Sequence, residues 1–253
     1  VTNSTKLTIA NDGTATFAGQ VKIDTDQRYF TKWESTYGNA RDYWWRNDGG
    51  LLQLGEGSEG DAQVKYTFDT ANSRLGIGLT SPAEILHLKR TTTNSNVILK
   101  YGNDERDWLL GVHGDDSDKF KLETHDKTDV IVIDSAGKVG IGISAMETMY
   151  GSTSALQVEG LTHSTAAVSI FRDSNDSAGA WLLLGSSRGT ALNSDTIVQN
   201  GDNFGAIAFI GADGGDRDPV GAKIYAQVDG TPGVNDMPGR LIFATTSDGF
   251  CWW

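Results

Sequence analysis

Asp134-Ser135-Ala136-Gly137-Lys138-Val139-Gly140-Ile141-Gly142 is the stretch from which the rest of the sequence is read. With Ile133 before it, it lines up, after one gap, with Phe68-Asp69-Thr70-Ala71-Asn72-Ser73-Arg74-Leu75-Gly76-Ile77-Gly78. The two Gly-Ile-Gly runs lie 64 residues apart, counted from Gly76 to Gly140. Each is followed by a short polar stretch and then by an alternating one, Leu86-His87-Leu88-Lys89 and Leu156-Gln157-Val158-Glu159. A second element also recurs: Trp108-Leu109-Leu110-Gly111 returns as Trp181-Leu182-Leu183-Leu184-Gly185, and Tyr43-Trp44-Trp45 with Leu51-Leu52-Gln53-Leu54-Gly55 is a looser copy. Self-similarity at such a period marks repeated units that bury little on their own. We therefore expect three modules of one plan, 1–78, 79–142 and 143–253.

Inside the middle module the local signals are those of short strands. Val97–Tyr101 starts apolar and β-branched, and Trp108–Val112 follows the turn residues Gly102-Asn103-Asp104. Phe120-Lys121-Leu122-Glu123 alternates with period two, which predicts one buried and one wet face. Val130–Ile133 is apolar throughout, which predicts cover on both faces. Polar turns separate these runs at about ten-residue spacing, the pattern of a β-meander rather than of βαβ units. In the last module Ala206–Ile210, Lys223–Val228 and Leu241–Thr245 repeat the habit. Ser81-Pro82-Ala83-Glu84 carries the best helix start signal, a capping box with proline at the first helical position, and predicts one helical turn feeding a strand. A long meander leaves open sheet edges that invite association. The expected fold is all-β, an elongated array of short-strand modules that assembles with copies of itself.

Composition bounds the function. The 253 residues include 31 Gly and 4 Pro, and 33 acidic against 21 basic residues give a net charge of −12. An acidic chain is a poor ligand for nucleic acid, itself dense in negative charge. The longest apolar run, Phe204–Ala212, is too short to span a bilayer, so no membrane insertion is expected. A single cysteine, Cys251, permits neither an internal disulfide nor a cysteine metal cage. The first residue is Val1 rather than Met, from which we expect a processed chain or a piece of a longer one.

The run Asp134–Gly142 is similar to a repeat found in many bacteriophage tail fibres. So is Arg74-Leu75-Gly76-Ile77-Gly78-Leu79-Thr80-Ser81-Pro82 leading into Leu86-His87-Leu88. The stretch from Gly205-Ala206-Ile207-Ala208-Phe209 through Val228-Asp229-Gly230-Thr231-Pro232-Gly233 to Met237-Pro238-Gly239-Arg240-Leu241-Ile242-Phe243 looks like the same family. The resemblance touches about half of the chain, from about residue 68 to 249, and before it matches only Asn11–Gly19. It implies an intertwined homotrimeric fibre on the virion that contacts a host surface glycan or protein and other fibre or tail proteins. Nothing in the chain resembles the self-cleaving chaperone that ends many such fibres, and Phe250-Cys251-Trp252-Trp253 departs from the family's usual continuation.

Gly140-Ile141-Gly142-Ile143-Ser144-Ala145 fits a dinucleotide-binding G-x-G-x-x-A, with Glu159 where a ribose ligand would sit. Its context fails: Ser135-Ala136-Gly137 breaks the preceding strand and Met146–Ser154 is a poor crossover helix. The recurring Gly76, Ile77, Gly78, Gly140, Ile141 and Gly142 are instead expected to be architectural, each isoleucine pointing into the module or trimer core and its glycines leaving room for a neighbouring backbone. No cofactor, metal ligand or catalytic residue is assigned. His87, His113, His125 and His163 share no metal spacing, and the clusters Asp115/Asp116/Asp118 and Asp213/Asp216/Asp218 read as turn formers. Trp33, Tyr37, Trp44 and Trp45 are the candidate glycan contacts, since a sugar ring stacks on an exposed aromatic face. Core or subunit packing is the competing role for them, and Trp108 and Trp181 are expected in the core. The expected function is a non-enzymatic structural and adhesive segment of a viral fibre. A capsule-degrading depolymerase and a bacterial surface or secreted filament are the alternatives.

Overall fold

The computed structural model describes residues 7–9, 15–17, 29–33, 43–48, 50–56, 63–90, 92–126 and 128–247. Among them the chain is all-β, and its only helical element is a 3-10 turn at Gly114–Asp116. It divides into two compact units, Val1–Val97 and Ile98–Trp253.

In the first unit a two-stranded hairpin, β1 (Leu7–Ile9) and β2 (Ala15–Phe17), precedes a six-stranded sheet. That sheet runs in chain order through β3 (Tyr29–Trp33), β4 (Tyr43–Asp48), β5 (Leu51–Glu56), β6 (Gln63–Asp69), β7 (Arg74–Ile77) and β8 (Leu86–Leu88). Neighbours are antiparallel until the last step, where β8 returns parallel to β7.

The second unit holds a sheet of the same design: β9 (Val97–Gly102), β10 (Asp107–His113), β11 (Lys119–Thr124), β12 (Asp129–Ile133), β13 (Val139–Ile141) and a parallel β14 (Leu156–Val158). The sequence repeat is a structural repeat, down to its irregularities. Both sheets shift register at corresponding points, between Leu54 and Gly55 and between Leu122 and Glu123. Tyr66 pairs with Ile77 as Ile131 pairs with Ile141. Following these registers outward, Tyr43-Trp44-Trp45 occupies the place of Trp108-Leu109-Leu110, because Trp45 faces Leu54 as Leu110 faces Leu122. A three-stranded antiparallel sheet, β15 (Asn203–Ile210), β16 (Val220–Val228) and β17 (Gly239–Thr245), closes the unit.

Three local expectations change. The capping box at Ser81 forms no helix, since residues 81–85 are bends and irregular backbone leading directly into β8. The groups a helical turn would use are engaged elsewhere: Ala83 N donates to His87 Nδ1 at 3.2 Å, and Pro82 O accepts from Arg74 Nη1 at 3.1 Å. Leu75 N also takes Ile85 O at 2.7 Å, which pulls the segment into the sheet. Val130–Ile133 is covered on one face only by its own chain, with Val132 buried and Ile131 and Ile133 half-buried. Trp108 and Trp181 are exposed rather than core, and Trp181, 74% accessible, lies in no strand.

Candidate interaction site

In both six-stranded sheets period-two alternation sorts side chains onto two faces of opposite character. On the second sheet one face carries Leu109, Gly111, His113, Lys121, Glu123, Val132, Gly140 and Gln157, as the cross-strand pairs require. The other carries Trp108, Leu110, Val112, Phe120, Leu122, Ile131, Ile133, Val139, Ile141, Leu156 and Val158, with Thr124 at its end the polar member. The buried face is the mixed one. Lys121 and Glu123 are 7% and 3% exposed, whereas Phe120 on the opposite face is 41% exposed. The one buried and one wet face expected for Phe120–Glu123 are both present, and the apolar face is the wet one.

The crossover between the two parallel strands explains the inversion. Residues 142–155 fold back over the mixed face, where Glu147 N donates to Gln157 Oε1 at 3.0 Å and Gln157 Nε2 donates to Glu147 O at 2.6 Å. Lys119 Nζ reaches Ser144 O at 3.0 Å. In the first sheet the crossover does the same work: Leu79 O accepts from Thr67 Oγ1 at 2.8 Å and Thr80 O from Gln53 Nε2 at 3.3 Å. Gln53 and Thr67 are wholly buried beneath it. On the other face of that sheet Leu52, Leu54, Tyr66, Phe68, Leu75, Ile77, Leu86 and Leu88 line up uncovered or half-covered.

The Gly-Ile-Gly runs build this arrangement. Gly78 and Gly142 sit at φ +80° and +74°, and a Cβ there would lie 2.1 Å from Lys89 O and 2.3 Å from Glu159 O. Left-handed backbone and a carbonyl in van der Waals contact both demand glycine. Those carbonyls come from the residues that follow β8 and β14, so the glycines let the parallel strand close on its neighbour. Lys89 N and Glu159 N complete the join by donating to Ile77 O and Ile141 O, both at 3.0 Å. At Gly76 and Gly140 a Cβ would meet the crossover itself, at Leu79 and at Ile143 and Met146. Ile77 and Ile141 point to the apolar open face, not into the interior of their own sheets. No helix follows Gly142, and Glu159, the residue at the ribose position of the dinucleotide pattern, pairs with Arg217 at 3.0 and 3.1 Å. Those hydrogen bonds hold the Glu159 carboxyl below the usual range.

Beneath the second crossover lies a charged network. Lys121 Nζ stands 2.8 Å from Asp116, 3.2 Å from Asp129 and 3.6 Å from Glu123. His113 Nε2 faces Glu123 Oε2 at 3.3 Å. Hydrogen bonds from Lys119 and Lys121 lower the Asp116 pKa, whereas burial raises that of Glu123. Asp213 accepts from Gly215 N at 2.7 Å and Asp216 N at 3.0 Å, the turn-forming role its sequence suggests. Among the described residues no group of three His, Cys, Asp or Glu is placed to hold a metal ion.

The candidate glycan contacts are not brought together as one exposed patch. Trp44 is completely buried, its ring lying over Gly55 so closely that a Cβ there would be 1.9 Å away, and it has no face to offer a sugar. Trp45 is half-buried, Trp33 pairs with Tyr43 at the end of β3, and Tyr37 lies outside the described residues. The sequence reading passed over a different spot. Two adjoining hollows of about 330 and 320 Å³ open at one end of the second sheet. They are lined by Tyr101, Trp108, Asn103, Arg106, Asp107 and His125 among others. Tyr101 and Trp108 are exposed there, and Asp107 is held by Lys100 at 2.6 Å and His125 at 3.4 Å. Rings beside polar groups suit a ligand rich in hydroxyls. Compared with known proteins, the chain matches no family model and no curated protein.

Proposed function

We propose that the chain is a structural and adhesive segment of a homotrimeric viral fibre, with its elongated modules held together through the apolar sheet faces. One observation carries the reading: each of the three larger sheets has a mostly apolar face that its own chain leaves largely exposed. The two six-stranded sheets are described above. On the third, Gly205, Ile207, Phe209, Ala222, Ile224, Ala226, Leu241 and Phe243 share one face with Thr245; Leu184 lies against Gly205, and Leu241 and Phe243 are strongly exposed. Soluble monomers rarely carry contiguous apolar patches of this kind, and three on one chain match an assembly core better than a set of unrelated docking sites. The Gly-Ile-Gly repeat resembles that of phage tail fibres, which supports the viral setting and a place on the virion. It also supports contact with host surface glycan or protein and with other fibre or tail proteins.

Sedimentation of the purified chain at micromolar concentration tests the assembly: a species three times 27.2 kDa is expected, and a stable 27.2 kDa monomer overturns the reading. Incubation with host capsule polysaccharide tests the class. A binder leaves the number of reducing ends constant, and steady release of new ends assigns the chain to the depolymerases instead.

A further inference from the structure

Residues 167–187 join β14 to β15 and have the sequence of two strands without a sheet. Ala167-Val168-Ser169-Ile170-Phe171 and Ala180-Trp181-Leu182-Leu183-Leu184 flank a polar turn. That turn is already built. Asp176 is gripped by both terminal nitrogens of Arg172 at 2.6 Å, by Ser174 Oγ at 2.8 Å and by Ala178 N at 2.9 Å. Arg172 also reaches Ala178 O at 2.7 Å. The two arms that the turn brings round are nevertheless unpaired. Among the described residues, no main-chain group of 167–187 bonds to another main-chain group. Phe171 is 83% exposed and Leu183 80%.

The second sheet shows what such a sequence does when it has a partner. Trp108-Leu109-Leu110-Gly111, the counterpart of Trp181-Leu182-Leu183-Leu184-Gly185, is the strand β10, paired to β9 and β11. An extended backbone with idle N–H and C=O groups and large apolar side chains gains most from joining a sheet edge. The exposed, mostly apolar sheet faces call for cover of the same kind. Resting on the trimer reading above, we infer that residues 167–171 and 180–184 complete their hydrogen bonding on neighbouring copies of this chain, as exchanged strands that lock the assembly.

Amide hydrogen exchange on the full-length assembly, with sedimentation of the same sample, tests this. Exchange across 167–171 and 180–184 is expected to be slowed about 100-fold or more relative to the unstructured rate. A double variant, Trp181→Asp with Leu183→Asp, is expected to lose the trimer while the β signal in circular dichroism persists. A trimer whose 167–187 amides exchange at unstructured rates overturns the inference and leaves the trimer reading standing, as does a double variant that still assembles and stays protected. Protection in a monomer places the pairing within one chain and overturns it, and an unprotected monomer overturns both. The wild-type exchange pattern decides the matter by itself should the variant fail to fold.

Discussion

Alanine at Gly142 and at Gly137 makes a matched test of how the repeat is built. Both glycines have left-handed backbone, φ +74° and +79°, so an L side chain at either is disfavoured by about 1–2 kcal/mol. Space is what separates them. Around Gly137 nothing lies within 4 Å of an added Cβ, while at Gly142 the carbonyl oxygen of Glu159 lies 2.3 Å away. Ordinary contact begins near 3.4 Å, so the end of β14 must withdraw by about 1 Å in the Gly142 variant. A displacement of that size breaks Glu159 N to Ile141 O, now 3.0 Å, and strains Gly142 N to Val130 O, now 3.3 Å. Each such bond contributes about 0.5–1.5 kcal/mol net. Gly142→Ala is therefore expected to be less stable than Gly137→Ala by about 2 kcal/mol. In thermal unfolding followed by circular dichroism this is a midpoint lower by about 4–8 °C for a chain of this size. Equal midpoints for the two variants would show that backbone conformation alone selects the glycines, and would remove close approach from the account.

Four further outcomes follow from the same geometry. Lys121→Met leaves Glu123 and Asp129 without their shared cation and is expected to destabilise by about 3–5 kcal/mol in urea titration, whereas surface Lys100→Met should change stability by less than about 1 kcal/mol. Acid should act in two opposed steps. Burial raises the Glu123 pKa, so its protonation favours the fold as pH drops through that raised value. Asp202, lowered to about 2 by hydrogen bonds from Arg188, and Asp116, lowered by Lys119 and Lys121, contribute stability above pH 3.8 that is lost as pH falls towards their folded values. Unfolding midpoints of wild type and Asp202→Asn should thus converge below pH 3.8, and a gap that widens there contradicts the sign. In the proposed trimer three copies at −12 carry −36, and screening acts over about 8 Å at physiological salt, so the proposed host adhesion should hold or strengthen as salt rises, while a steep loss would point to long-range attraction. Tyr101→Ala with Arg106→Ala should weaken glycan binding on an array while leaving sedimentation unchanged, and undiminished binding would move the contact away from that hollow.

Much of the strand plan could be read directly, since alternation and turn residues are local properties. Val97–Tyr101, Trp108–Val112 and Phe120–Glu123 all fall inside observed strands, as do the three segments after Gly205. Recurrence of Gly-Ile-Gly with differing surroundings marked those glycines as backbone devices, and the carbonyls opposite Gly78 and Gly142 supply the device. Which face is buried could not be read, because alternation defines two faces without saying what covers either. The face that carries Lys121 is the buried one, because a backbone crossover that no hydrophobic count can foresee lies over it. Ser81-Pro82-Ala83-Glu84 failed for a related reason: Arg74 and His87, distant from any capping rule, claim its carbonyl and amide. The Tyr101 and Trp108 hollow was missed because it joins two turns, around Asn103 and around His125, that are adjacent only once β10 and β11 pair.

The inverted sheets follow from what each kind of cover can supply. A short crossover such as 78–85 has few side chains and several carbonyls. It can satisfy Thr67 and Gln53 through Leu79 O and Thr80 O, but it lacks the area to bury a row of leucines and isoleucines. A sheet face from another copy is the reverse: broad and apolar, with its main-chain groups already committed within its own ladders. In the proposed assembly, hydrogen-bonding residues therefore belong beneath the crossover and the broad apolar row beneath another sheet. Burying a side chain such as Phe120 or Ile141 fully is worth about 1.5–3 kcal/mol, and the part still exposed in one chain is the share that assembly can recover. Placing a charge in that row, as in Ile141→Lys, should then leave the crossover bonds and the single-chain sheet in place while dissociating the proposed trimer. Sedimentation with circular dichroism reads both at once. An Ile141→Lys protein that remains trimeric would show that this face is not the one on which copies meet.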